Sequence, residues 1–280
     1  MRVLSNVYVS SGVPGRFLDE VTKAGGKLCV NVFSDKAYGR SSLTLAGEIN
    51  KVMQAAQDIV SHSVQNLSLQ NHVAQHPRIG VADHVLLAPI QIEQLGEVED
   101  AARGLAERIA AANPGLKTAA YSRATPLAEL RRHTPYFTDG ALAGPLDPAK
   151  DRTAELENVS LFGPDLYSPE LGMTCVGAAR WVTNFNVPLP ANTTLAEAKR
   201  IANSIRSRSK SKHALPAVQA VGLAHADGVV EIGCNLLNVT QTSTAKIEEV
   251  ISALLTNPAP VQGYVIGKPW EMLVELANRD

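Results

Sequence analysis

The chain has 280 residues, 45% of them apolar and 19% charged, with a formal net charge of -1. Such values fit a soluble globular protein of one large domain or two ordinary ones, and they exclude a nucleic-acid binder that works through a global basic field. No apolar run approaches the ~18–20 residues that a membrane span needs.

Residues 3–10 are β-branched and alternate enough for a strand, and residues 16–24 form a short helix stopped by Gly25 and Gly26. The start of the chain reads as a strand, not as a signal or transit peptide, although a cleaved organellar presequence is compatible with it. Strands follow at 27–33 and 41–46, separated by a turn at 34–39. From about 47 to 69, Ile49, Val52, Met53, Ala56, Ile59, Val60 and Val64 recur at spacings of three and four, the signature of an amphipathic helix. This helix delivers the chain to His76-Pro77-Arg78-Ile79-Gly80, a loop that continues through Asp83 and His84 into a strand at 85–92. Proline cannot donate into the helical ladder, so His-Pro ends the helix, and the loop gathers His, Arg and Asp ahead of a rigid strand. His62 and His72 read as solvated histidines.

A second amphipathic helix spans 93–113, a strand 117–121 and a short basic helix 127–132. Residues 139–151 are an exposed loop. Residues 162–174, FGPDLYSPELGMT, are an ordered loop punctuated by Gly and Pro. Strand-like runs at 175–182 and 183–189 carry Asn184 and Asn186, and a helix follows at 194–207. Residues 217–223 and 229–236 form a hairpin around His225-Ala226-Asp227-Gly228. A helix at 243–255, a strand at 263–266 and a helix at 270–277 close the chain.

The three cysteines, Cys29, Cys175 and Cys234, are far apart and flanked by apolar or small residues. They read as buried hydrophobes of a protein kept in a reducing, cytoplasmic setting, not as a disulfide framework. No histidine or carboxylate pair has metal-ligand spacing, so no metal site is assigned. Helices with one apolar face beside hairpin-connected strands give an α+β fold in two subdomains, 1–181 and 182–280, each a mixed sheet with helices on one face. Neither G-x-G-x-x-G nor G-x-x-x-x-G-K-[ST] is present, which argues against a nucleotide-phosphate cradle.

Four blocks in register resemble the formiminotransferase domain of glutamate formimidoyltransferases. They are His76-Pro77-Arg78-Ile79-Gly80 with Asp83 and Pro89; Phe162-Gly163-Pro164…Pro169…Gly172-Met173-Thr174-Cys175-Val176-Gly177-Ala178; Asn184-Phe185-Asn186-Val187-Pro188-Leu189; and Asn235-Leu236-Leu237-Asn238. The likeness covers about residues 3–270 and is nearest to single-domain plant-type members, which share the forms Ala37-Tyr38-Gly39-Arg40 and Asn-x-Asn-Val-Pro. It implies a folate cleft between the subdomains, and a homodimer. Tetrahydrofolate is implied as co-substrate and a glutamate-type compound as partner, with no nucleic acid and no membrane. It also implies His76 as general acid/base, with the loop from Gly163 and Pro164 to Gly172 and Thr174 bordering the folate. Arg40, Arg78, Asp83, Asn184, Asn186 and Asn235 are the remaining candidate binding residues. Arg78, Asn184 and Asn186 are candidate donors to developing charge, and Arg40 and Arg180 candidate partners of substrate carboxylates. Asp83 either orients His76 or pairs with Arg78. Residues 198–226 contain several Lys and Arg and no Asp or Glu, which fits a solvated basic loop or a polyglutamate docking site.

Two departures stand out. The family's opening V-P-N-F-S-E-G is Val7-Tyr8-Val9-Ser10-Ser11-Gly12 here, and its D-x-D is Asn31-Val32-Phe33. These changes keep open an alternative function, a folate-binding or assembly subunit without turnover.

Overall fold

A computed structural model describes the chain except residues 37, 75, 225–227 and 280 and the side chain of Asp139. The chain divides into two compact units, residues 1–179 with 273–280, and residues 180–272. The division lies two residues ahead of the one expected from the sequence, and the last eight residues belong to the first unit.

The first unit is built from β1 (Arg2–Val9), α1 (Arg16–Gly25), β2 (Cys29–Asp35), β3 (Arg40–Glu48), α2 (Ile49–Asn66), β4 (Ala82–Pro89), α3 (Leu95–Ala112), β5 (Lys117–Tyr121), α4 (Leu127–Arg132), β6 (Ser160–Phe162) and β7 (Met173–Ala178). Its seven-stranded sheet runs β2-β3-β1-β4-β7-β5-β6. The sheet is mixed: β4 and β5 flank β7 in parallel, and the other pairs are antiparallel. Central strands β4 and β7 are buried along their whole length, so neither shows a polar alternation. The stripe of α2 (Val52, Ala56, Ile59, Val60) and that of α3 (Val98, Ala102, Leu105, Ile109) pack on Val3, Val7, Val85, Leu87 and Val176 of one sheet face. A second cluster, with Leu69, Ile79, Leu130, Tyr136, Tyr167, Met173 and Cys175, lies beneath the long connections of the unit. The expected strand at 175–182 starts earlier, at Met173, and ends at Ala178.

The second unit holds β8 (Thr183–Pro188), α5 (Leu195–Ile205), β9 (Val218–Ala224), β10 (Val230–Leu236), α6 (Thr244–Leu254) and β11 (Tyr264–Val265). Its sheet, β11-β8-β10-β9, is antiparallel throughout and not mixed as expected, because every described neighbour pair runs in opposite directions. β9 and β10 form the expected hairpin, but its turn residues 225–227 lie outside the described residues. Ile201, Ile205, Ile247 and Ile251 of α5 and α6 cover Phe185, Val187, Ile232 and Cys234. Period-two alternation therefore turns Asn184 and Asn186 to the opposite face. The final helix, α7 (Trp270–Ala277), buries Leu273 and Ala277. No helix among the described residues is long and apolar enough to cross a membrane.

Candidate functional site

The loop that carries His76 is fastened along both sides. On one side the amide of Ala74 donates to Leu142, that of Arg78 to Ala141, and that of Gly144 to His72. On the other, Met173 N donates to Ile79 O at 2.6 Å and Val81 N to Leu171 O at 2.9 Å. Ser10 Oγ donates to Gly80 O at 2.7 Å. Gly80 and Gly172 form an isolated antiparallel bridge. A Cβ on Gly172, whose φ is +69°, would run into Ile79 O and Gly80 Cα. Thr174 Oγ1 donates to Ala82 O at 2.6 Å. Gly172 and Thr174 thus act on the position of the His76 loop through the backbone.

Gly163, with φ +89°, lies against the carbonyl of Leu116. The segment between it and Gly172 is an irregular loop and not a helix, as expected. Lys117, buried and paired with Asp151 at 2.7 Å, also donates to Asp165 O, and the hydroxyl of the buried Tyr167 donates to Asp147 O. Pro164 is half-buried in that loop.

His76 is half-buried. Its Nδ1 lies 2.7 Å from Pro77 O and 2.9 Å from Arg40 Nη1, and its Nε2 lies 3.3 Å from the same Arg40 nitrogen. A carbonyl only accepts and a guanidinium only donates, so one Nδ1 cannot serve both. With Nδ1–H donating to Pro77, Nε2 is left as the acceptor and carries the basic lone pair. Burial, then the charge of Arg40, pushes the His76 pKa down, against smaller raising effects from Pro77 O and Asp83; Arg131 adds a further downward push. The neutral imidazole is therefore the resting form at neutral pH. Tyr38 tilts over the ring at 5.6 Å and Tyr136 meets it edge-on at 6.3 Å.

Asp83 is fully buried and sits in a β-bulge. Tyr8 pairs with His84 and Val9 with Ala82, which leaves Asp83 without a strand partner. Bulges re-aim side chains, and this one turns the carboxylate onto three donors. Its Oδ1 accepts from Ile79 N at 2.7 Å, and its Oδ2 accepts from Arg40 Nη2 and, at 3.4 Å, from Arg131 Nη2. Among the described contacts Asp83 hydrogen-bonds neither His76 nor Arg78; it reaches His76 through Arg40 and interacts with Arg78 by charge alone. Arg78 is buried and donates to Ala141 O at 2.8 Å, Gly144 O at 2.5 Å and His72 O at 3.5 Å, so both Nη atoms hold the 141–144 segment. His72 is not solvated: it is half-buried, with Nε2 donating to Gly39 O at 3.2 Å, and burial pushes its pKa down.

Sequence reasoning missed Arg131 and Tyr8. Arg40 lies over the ring of Tyr8 at 4.7 Å, and Arg131 over that of Tyr136 at 4.3 Å. Tyr8 in turn stacks on His84, whose Nε2 is 2.8 Å from Tyr121 OH. A signal for Arg131 was present in its spacing. It follows Leu127 by four residues, on the same helix face, whereas Arg132 points to solvent.

In the second unit the sheet face opposite the helices is rich in amides. Asn184 and Asn235 are cross-strand partners, and Asn186 faces Gly233 on one side and Tyr264 on the other. Asn186 Nδ2 donates to Glu231 Oε1 at 2.7 Å, and Asn235 Nδ2 to Gln219 Oε1 at 3.3 Å. Glu231 is a buried carboxylate that no motif announced. Arg180 is exposed at the start of the unit. Of the basic run, Arg206 Nε donates to Ala220 O, while Arg208, Lys210 and Lys212 are exposed.

The profile of the formiminotransferase domain, N-terminal subdomain, matches residues 2–179. A formiminotransferase cyclodeaminase-like protein of Arabidopsis thaliana is 32% identical over 254 residues, covering 85% of this chain and 80% of that protein. A glutamate formimidoyltransferase of Thermoplasma acidophilum is 24% identical over 274 residues, covering 94% of this chain and 85% of that one. The formimidoyltransferase-cyclodeaminase of Sus scrofa is 25% identical over 248 residues, which span 86% of this chain but 44% of the relative.

Proposed function

The chain belongs to the formiminotransferase family, and on that premise we propose that it is a folate-dependent one-carbon transferase. It moves a formimino or formyl group between glutamate, or a derivative, and N5 of tetrahydrofolate. The observation that carries this reading is the state of His76: a neutral ring, oriented by Pro77 O through Nδ1, whose Nε2 has among the described residues one contact, a long one to Arg40. A substrate N–H that reaches Nε2 replaces that contact.

The proton balance needs one such base. In the direction toward folate, N5 attacks the formimino carbon and a C–N5 bond forms. His76 takes the N5 proton, and the tetrahedral centre then collapses with cleavage of the C–N bond to glutamate. The imidazolium returns its proton to the departing glutamate nitrogen, so ring and charge are restored. Arg40, within hydrogen-bond distance of the ring, disfavours the imidazolium and so speeds that return. The 163–172 loop borders the folate; Asn184, Asn186 and Asn235 are the second unit's own candidate donors. Homodimer formation and a cytoplasmic setting belong to the same proposal.

A folate-binding subunit without turnover is the second reading. It is favoured by Asn31 and Phe33 on edge strand β2, which stand at the two positions where the family pattern has carboxylates. Calorimetric titration with 5-formyl-tetrahydrofolate, on wild type and His76→Ala, with glutamate-dependent turnover measured in the same samples, separates the two. Binding by both proteins with turnover in wild type alone supports the transferase. Binding without turnover in either protein moves the assignment to the second reading, and absence of binding overturns both.

A further inference from the structure

Three guanidiniums, Arg40, Arg78 and Arg131, surround the single carboxylate of Asp83 closely enough to interact with it. All three are largely buried, and among the described residues no second carboxylate pairs with any of them. Uncompensated buried charge is costly, so such an assembly is built to receive a negative charge from outside. The three differ in what they have left to offer. Arg78 is closed off by backbone carbonyls. Arg40 has both Nη atoms engaged, on Asp83 and His76. Among the described residues Arg131 makes one side-chain hydrogen bond, from Nη2 to Asp83, and its Nη1 makes none; the buried Nε lacks a partner in all three. The centre of its guanidinium lies 4.3 Å from the centroid of the Tyr136 ring, whose edge meets His76. A cation–π contact restrains the guanidinium, the fork that binds a carboxylate through two parallel N–H groups.

We infer that Arg131 is a carboxylate-binding residue of this site, with Arg40 as its cationic neighbour, and that it takes one carboxylate of the amino-acid substrate beside His76. The identity of that carboxylate rests on the transferase reading; the binding site itself does not. Asp83 is then a positioning residue, which sets the two guanidiniums on either side of one carboxylate oxygen.

The test titrates glutarate and its neutral analogue glutaramide into the full chain by calorimetry, with and without saturating 5-formyl-tetrahydrofolate, for wild type, Arg131→Lys and Arg131→Ala. Arg131→Lys keeps a cation near Asp83 and loses the fork, so it serves where Arg131→Ala does not fold. Wild type binds glutarate and not glutaramide, and Arg131→Lys weakens glutarate by about ten- to hundredfold, the range of a charge-assisted hydrogen bond. In turnover, the same variant raises KM for the glutamate-type substrate by a similar factor and changes kcat less. Unchanged glutarate affinity in Arg131→Lys, equal binding of glutaramide, or no glutarate binding by wild type overturns the inference. Arg131-dependent glutarate binding without turnover in wild type leaves it standing and removes the transferase reading instead.

Discussion

Arg40 Nη1 lies 2.9 Å from Nδ1 and 3.3 Å from Nε2 of His76, while Nη2 of the same guanidinium is held by the buried carboxylate of Asp83. A permanent cation is thereby clamped against a titratable ring. Because Asp83 has no freedom to move away, the cation acts on the ring at a fixed distance. This arrangement keeps the imidazole unprotonated, the form that accepts a substrate proton.

The pH dependence of turnover follows. The acid limb of kcat/KM in wild type lies below the ordinary histidine value of 6.5, since burial and then Arg40 lower the His76 pKa. Arg40→Ala removes a repelling charge and admits water, and both changes raise that pKa. The acid limb therefore moves to higher pH, which a kcat/KM profile between pH 5 and 8 reads directly. A limb that stays in place, or moves down, shows that Arg40 does not act on His76 in this way.

Gly172→Ala tests the backbone bridge between the 163–172 loop and the His76 loop. The new methyl meets Ile79 O and Gly80 Cα, and the +69° φ is strained for alanine. Left-handed backbone at a non-glycine residue costs about 1–3 kcal/mol, and the overlap adds to it. Denaturant unfolding should show a loss of at least this size, and turnover should fall because His76 is displaced. A fully stable, fully active variant contradicts the positioning role of Gly172.

Arg78→Met distinguishes a structural clamp from a ligand contact. The two short bonds to Ala141 O and Gly144 O are charge-assisted, and their loss should lower stability by about 1.5–3 kcal/mol. Hydrogen exchange should quicken at the amides of Ala74 and Gly144, which cross the same junction. Slow exchange together with a loss of ligand affinity would return Arg78 to the binding residues.

Much of this architecture is legible in the sequence, and the limits have physical causes. The stripes on α2 and α3 and the β9–β10 pairing are strong periodic signals, so those elements fall where expected. The sequence places Asp83 in a loop because β4 is buried along its whole length, so no alternation marks Ala82 as its first residue and the charged Asp83 reads as part of the preceding loop. Arg78 and Arg131 have the same chemistry, and nothing local tells the clamp from the open guanidinium. That difference is made by carbonyls 63 and 66 residues away from Arg78 and by a ring five residues after Arg131. Glu231 escaped notice because its partners, Asn186 and Tyr264, come together only when β8, β10 and β11 pair.

His84 predicts how stability depends on pH. It is buried on β4, stacked on Tyr8 and within 2.8 Å of Tyr121 OH, and burial pushes its pKa well below 6.5. In the unfolded chain the same residue takes up a proton near its ordinary value. Below about pH 6.5 the unfolded state therefore binds one proton more than the native state, and the native state loses stability as pH falls. The contribution is complete above that value and declines toward the lower native pKa at up to about 1.4 kcal/mol per pH unit. His72 and His76 shift in the same direction, so the wild-type slope contains their share as well. The difference between wild type and His84→Gln isolates the part due to His84. Urea unfolding at pH 7.5, 6.5 and 5.5 should show a shallower loss in the variant than in wild type, because glutamine has no proton to gain. Equal slopes in the two proteins would mean that His84 is protonated in the native state.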